Sequence, residues 1–323
     1  MGGALLFQHR LDRNIERLGN PFSGLTERPV RPSATVPPTS QVEASHGTAP
    51  VNLLVVGSDS RISAGEPAEW SFGAQRTDAI MLVHLPGDRQ AAHVVSIPRD
   101  SWVPIPGHRD AKINAAFSWG GPPLLIATVE QLTGVLVDHF VVTDFESFRA
   151  MTDALGGVEI VISDDWHDSR LGPFPAGAHL LSGDEALSFV RTRRGLPGGD
   201  FDRVQRHQSW MRAILKSVAQ NPSDITRVAT FLDTISQSIA ADDGLTMGRM
   251  RELFFESTSI RPADVTFITA PHSGTGRSHD GQSIVLLDHA LFDLLMKAIA
   301  TDDATEFVRQ NSHSLTILGP SAR

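Results

Sequence analysis

The stretch VRTRRGLPGGDFDRVQRHQ, residues 190–208, carries five arginines around a glycine-rich turn: Arg191, Arg193, Arg194, Arg203 and Arg206. Asp200 and Asp202 sit among them. Three more clusters join acid to base: Asp59 with Arg61 in GSDSR, Arg76 with Asp78 in QRTDAI, and Arg99 with Asp100 in IPRD. The arginine fork grips phosphate through two parallel charge-assisted bonds. Arginines converging with a few carboxylates are what a pyrophosphate and Mg²⁺ would require. The guanidiniums hold phosphate oxygens, and the carboxylates hold a metal that keeps its own waters. Together they stabilise charge in phosphoryl transfer. The residues also admit a plainer reading. A single Arg–Asp pair is more often a surface salt bridge of little energetic weight. Asp59 before Ser60 is also a turn residue, and Arg99 after Pro98 a loop charge.

Other chemistries find less support. The chain has no cysteine, which excludes disulfides, thiol nucleophiles and thiolate metal sites. GLPGGD lacks the P-loop lysine and is not GxGxxG. The 13 histidines show no HExxH spacing. Ser58 and Ser60 lie in no GxSxG elbow. A net charge of −9, from 28 Lys+Arg against 37 Asp+Glu, argues against duplex nucleic-acid binding.

The elements that must position these clusters alternate. VNLLVVG (51–57) reads as a buried strand ending in the SDSR loop. AIMLVHL (79–85) and AAHVVSI (91–97), joined by PGDR, read as an antiparallel hairpin. KINAAFSWGG and PPLLIATVEQLTG read as two helices, the paired prolines suiting a first turn. HFVVTDF is a strand, FESFRAMTDALGG a helix closed by glycine, and VEIVI another strand. Ser182 to Glu185 form a capping-box pattern opening a helix that delivers Arg191 and Arg193 at its C-terminal end. A second helix is expected from near Asp202 to Ala219. Its apolar face would be Val204, Met211, Ile214, Leu215 and Val218, with Arg203 and Arg206 off that face. Two more helices, a strand at 264–270, a Gly/Ser loop, the strand SIVLL and a closing helix complete an α/β pattern.

No run reaches the roughly 18 apolar residues of a membrane helix. Residues 21–50, rich in Pro, Ser and Thr, read as an extended linker, with order beginning at Val51.

In order and spacing, NLLVVGSDSR, RTDAIMLVHL, VVSIPRDSWVPIPG, KINAAFSWGG, FVVTDFESFRAMTDALGGVEI and LSGDEALSFVRTRRGLPGGDFDRVQRHQ resemble the LytR-CpsA-Psr family of cell-wall glycopolymer transferases. The likeness runs from about residue 51 to 220, and less specifically to 310. FQHRLDRNIERLG looks like the segment after the family's single membrane helix, which makes residues 1–20 juxtamembrane, with the anchor itself missing. Residues 21–50 are then a linker, 51–310 the catalytic domain and 311–323 a C-terminal tail.

The resemblance implies an α/β/α sandwich with a central mixed sheet and a hydrophobic lipid-binding channel. It implies phosphotransfer: a glycan 1-phosphate leaves a polyprenyl-pyrophosphate carrier for a peptidoglycan hydroxyl, with pyrophosphate cleavage as a side activity. The partners are the lipid-linked glycan, the peptidoglycan acceptor and the membrane, with no nucleic acid. The location is the cell membrane, single-pass, with an extracytoplasmic catalytic domain. The family pattern makes Asp59 and Asp78 Mg²⁺ ligands. It matches Arg99, Arg191, Arg193, Arg203 and Arg206 to pyrophosphate-binding arginines, and Gln208 to the end of its Arg-x-Gln. Asp200 is a candidate base or orienting group, and Arg76 a further phosphate contact. His207 stands where many members have glutamine, and Asp202 where many have glycine; Asp202 reads as the N-cap of the next helix. The alternative is a non-catalytic polyprenyl-phosphate-binding protein or envelope regulator.

Overall fold

The computed structural model describes residues 10–31, 48–58, 77–192, 196–220 and 225–322. Asp59, Arg61, Arg76, Arg193 and Arg194 lie outside them. A helical turn at residues 10–14 (α1) leads into β1 (Glu16–Arg17). β2 (Val51–Ser58), β3 (Thr77–Leu85) and β4 (Ala92–Ser96) form the expected antiparallel meander, paired from Val51 against Leu85 to Ser58 against Thr77. A short ribbon follows, β5 (Trp102–Val103) with β6 (Ala111–Lys112).

The predicted pair of helices after it is one element, α2 (Asn114–Thr133), interrupted where the two were expected to part. Gly120 and Gly121 leave helical geometry, and Gly121 takes φ 62° just before Pro122. Only glycine adopts that backbone without strain, and proline then restarts the helix.

β7 (His139–Asp144) runs parallel to β2, bringing Asp144 level with Ser58. It continues into α3 (Phe145–Ala154), capped by Asp144, whose Oδ1 accepts from Ser147 N at 2.8 Å. β8 (Val158–Ile162), the predicted strand VEIVI, stays outside the main sheet. It pairs with β11 (Gly177–Leu181), beside a second ribbon of β9 (Trp166–Asp168) and β10 (Gly172–Phe174). α4 (Gly183–Arg191) opens as predicted, with Glu185 accepting from Ser182 N at 2.9 Å. α5 (Asp200–Gln220), α6 (Ile225–Ser238), β12 (Ile239–Ala241), α7 (Met247–Glu256) and β13 (Val265–Thr269) follow. The expected Gly/Ser loop is itself a strand, β14 (His272–Arg277), hairpinned to β15 (Ser283–Leu287). α8 (His289–Ala300), α9 (Ala304–Asn311) and β16 (Thr316–Ile317) close the chain.

The eight-stranded sheet runs β1-β12-β7-β2-β3-β4-β13-β16 and mixes parallel with antiparallel pairs. Both ends of the described chain join it. Residues before Val51 supply β1, inside the segment read as juxtamembrane and ahead of Val51, where order was expected to begin. Residues after 311 supply β16, and Ala322 bridges Ile162.

Side chains alternate across the meander. Leu54, Val56, Ile80 and Leu82 are fully buried in one core with Phe117 and Leu125 of α2 and Phe292 and Leu295 of α8. Each such side chain contributes about 1.5–3 kcal/mol. On the opposite face Leu53, Val55 and Val83 stay half-buried beneath α5 and α7, where Met211 and Leu253 reach them. A separate core joins α3, α4, α5 and the β8–β11 ribbon around Phe148, Trp166, Phe189 and Trp210.

Candidate functional site

Strand register sets the site's frame. Ser58 pairs with Thr77 on one side and Asp144 on the other, so the residues after β2, at the start of β3 and at the end of β7 share one sheet edge. Arg99 follows β4 at the same edge. Asp78 accepts a hydrogen bond from Arg99 Nη1. Arg203, from the first turn of α5, reaches Asp78 at 3.4 Å and Asp200 at 2.7 Å. Arg99 Nε lies 3.5 Å from Asp200 without a hydrogen bond, a buried donor still to be satisfied. Two carboxylates and two guanidiniums from three elements thus form one cluster.

Asp100, its neighbour in sequence, turns aside to Lys112 at 3.1 Å.

Burial raises the Asp200 carboxyl above its ordinary value. Arg203 and Arg99 pull the other way, while Asp100 and Asp78 add to the rise. His207, one turn beyond Arg203, is held near 4. Desolvation is the main cause and the charge of Arg203 the next; Asp78 opposes and Arg99 adds. Its imidazole is therefore neutral near pH 7.

The start of α5 explains the glycines. The helix begins at Asp200, two residues before the expected N-cap. Asp202 is inside the first turn and reaches back, accepting from Gly198 N at 2.7 Å. A Cβ on Gly198 would lie 2.4 Å from Asp202 Oδ1, and Gly199 takes φ 60°. This compact turn is what aims Asp200 and Arg203 at the sheet edge.

Residues 27–300 match the profile of the LytR_cpsA_psr family. The chain belongs to the LytR-CpsA-Psr family. It is 31% identical to the cell wall biosynthesis protein LcpA of Corynebacterium glutamicum, over 75% of this chain and 54% of the relative. It is 32% identical to the polyisoprenyl-teichoic acid–peptidoglycan teichoic acid transferase TagU of Halalkalibacterium halodurans, over 60% of this chain and 61% of the relative. The chain spans little more than half the length of these curated relatives. Its fold superposes on TagT bound to LIIa-WTA with a TM-score of 0.65 and 25% identity, over 86% of this chain and 97% of the other.

The remaining LytR-CpsA-Psr positions divide. Arg191 ends α4 outside the cluster, its guanidinium 4.4 Å from the centroid of the Phe145 ring. It lines a cavity of about 670 Å³ between α3, α4 and the residues after β9. Arg206 was expected near Arg203 and off the apolar face, in contact with substrate. The structure buries it to 2% exposure instead. Its Nη1 donates to Phe189 O at 2.8 Å, and its guanidinium lies 4.1 Å from the Phe189 ring and 5.5 Å from Trp166. Burial lowers its pKa to about 10, against the pull of Asp202. Gln208 is also buried, donating to Ser96 Oγ at 2.9 Å. Leu215, expected on the apolar face of this helix, is 38% exposed. The buried face of α5 is thus partly polar: Arg203, Arg206, Gln208 and Ser209 with Val204 and Trp210. Hydrophobic periodicity does not see such a face. Asp59, Arg76 and Arg193 fall outside the described residues.

Proposed function

We propose that this protein moves a glycan 1-phosphate from a polyprenyl-pyrophosphate carrier to a hydroxyl of peptidoglycan, at the extracytoplasmic face of the membrane. The observation that carries the reading is the position of the Asp78–Arg99–Asp200–Arg203 cluster at the end of a half-covered apolar stripe. Leu53, Val55 and Val83 run along β2 and β3 towards Asp78, and the small residues Gly57 and Ala79 face each other at the end nearest the cluster. A prenyl tail laid along that stripe would deliver its pyrophosphate to the arginines.

Chain direction agrees. β1 runs parallel to β12, and β12 antiparallel to β7, so the chain enters β1 from the cluster's edge of the sheet. A membrane anchor ahead of α1 would hold that edge towards the lipid.

Arg99 and Arg203 would hold the phosphate oxygens, exchanging their bonds to carboxylates for bonds to the substrate. Arg191 stands nearby as a further donor. Asp200, raised by burial, is suited to accept the proton of the attacking hydroxyl. Among the described residues no three His, Asp or Glu side chains form a metal cage. Mg²⁺ takes one or two carboxylates and fills its octahedron with water and phosphate. Asp78 would hold it, with Asp59. When bound, the ion would neutralise phosphate charge.

The experiment is cleavage of a short prenyl pyrophosphate with and without Mg²⁺, by wild type and by Arg191→Ala and Arg203→Ala. Mg²⁺-dependent turnover lost in the variants supports the reading. Tight lipid binding with no turnover, even of a glycan-linked donor, would leave a carrier and overturn the transferase.

A further inference from the structure

The cavity beside Arg191 contains none of the four clustered side chains. Its size lies within the roughly 300–1,000 Å³ of small-ligand sites. Its wall and the cluster share one edge of the main sheet. Asp144 on its wall pairs with Ser58, which pairs with Thr77 next to Asp78. Two strand spacings separate those positions, about 10 Å.

The lining chooses the ligand. Asp144, Glu146, Asp168 and Asp184 outnumber Arg149, Arg170 and Arg191. Arg149 is already bound to Glu146 at 3.2 Å and to Asp184 at 2.9 Å. An anion would meet excess carboxylate, and an apolar ligand would strand these groups without water. A neutral molecule rich in hydroxyls satisfies them. Asp168 is held rigid: it accepts from Ser188 Oγ, and from the backbone N–H groups of Arg170 and Leu171, both backbone bonds at 2.8 Å. The cavity also contains one aromatic face, Phe145, which Arg191 covers.

We propose that this cavity is a carbohydrate subsite. It binds a sugar ring against Phe145, with Arg191 as the gate. Resting on Phe145, Arg191 closes the aromatic face. When a pyrophosphate in the neighbouring cluster draws the guanidinium away, the ring is free to stack on the C–H face of a sugar. Donor binding thereby opens the saccharide site. The inference rests on the function proposed above. The sugar has two sources, the peptidoglycan acceptor or the glycan of the donor.

The test titrates wild type, Phe145→Ala and Phe145→Tyr with tetraacetylchitotetraose, with and without a short prenyl pyrophosphate, by calorimetry. Parallel titrations use the prenyl pyrophosphate alone and its N-acetylglucosaminyl form. Thermal melts confirm that each variant is folded. Chitotetraose should bind more tightly when the prenyl pyrophosphate is present. Phe145→Ala should weaken binding about fivefold to tenfold, and Phe145→Tyr should restore it. That outcome identifies an acceptor subsite. If Phe145→Ala instead removes only the affinity gained from the donor's sugar, the subsite belongs to the donor glycan. Sugar binding equal in wild type and Phe145→Ala, or absent from wild type in both titrations, would overturn the proposal. Prenyl pyrophosphate should bind all three proteins alike. Its failure to bind wild type would instead count against the function proposed above.

Discussion

Arg203 holds two carboxylates at once: Asp200 at 2.7 Å within its own helical turn, and Asp78 at 3.4 Å on a strand 125 residues earlier. One side chain thereby couples the glycine turn that starts α5 to the edge of the main sheet. Arg99 closes the cluster from the loop after β4, bonded to Asp78 and 3.5 Å from Asp200.

Removing that side chain should affect chemistry more than fold. Arg203→Ala is expected to lower prenyl pyrophosphate cleavage by about 100-fold or more, as loss of a transition-state donor does elsewhere. Asp200 then loses the first of its opposing charges, so its carboxyl should rise further. The basic shift should appear in the acid limb of the pH–rate profile of residual activity. An unchanged limb would dissociate Asp200 from proton transfer.

Arg206 should behave in the opposite way. Arg206→Ala removes the bond to Phe189 O and opens a gap beside Phe189 and Trp166, so it should cost about 3–5 kcal/mol in urea unfolding. Arg206→Met fills the volume without a charge, and should recover part of the stability and retain measurable turnover. Loss of turnover in a folded Arg206→Met would restore a direct role for this arginine.

Stability should fall on acidification below neutral pH. His93, stacked 6.2 Å from His84 and bonded to Thr305 Oγ1 at 3.0 Å, is held near 4, as His207 is. Burial is the main cause at His93; His84 adds to it, and Asp88 and Asp302 oppose. Both groups take up protons more readily in the unfolded chain. Their contribution is therefore complete above pH 6.5 and is lost as pH falls towards 4. Each histidine removes up to about 1.4 kcal/mol per pH unit across that window. Urea melts of wild type and His93→Gln should show a shallower pH slope in the variant.

Gly198→Ala tests the turn itself. The added Cβ meets Asp202 Oδ1 at 2.4 Å, the carboxylate that accepts the Gly198 N–H. Asp202 must turn its carboxylate away and give up that bond, or the first turn of α5 shifts, and Asp200 and Arg203 with it. Turnover should drop while the melting temperature falls only modestly, because the cores contain none of these residues. A fully active Gly198→Ala would show that the cluster tolerates movement of its helix.

Sequence alone determined the central elements and the order of the polar clusters. The β2–β3–β4 meander, the break at Gly120–Gly121 and the capping box at Ser182 follow from alternation, left-handed glycine and cap chemistry. Each is settled within a few residues. Tertiary structure alone decided which arginines meet. Arg203 and Arg206 are three residues apart, about 60° around the same helix. One faces Asp78 and the other lies between Phe189 and Trp166. Both are charged and both are buried, so no local pattern separates them. The difference comes from what each direction off α5 meets: the carboxylate edge of the main sheet, or the aromatic core built by α4 and β9.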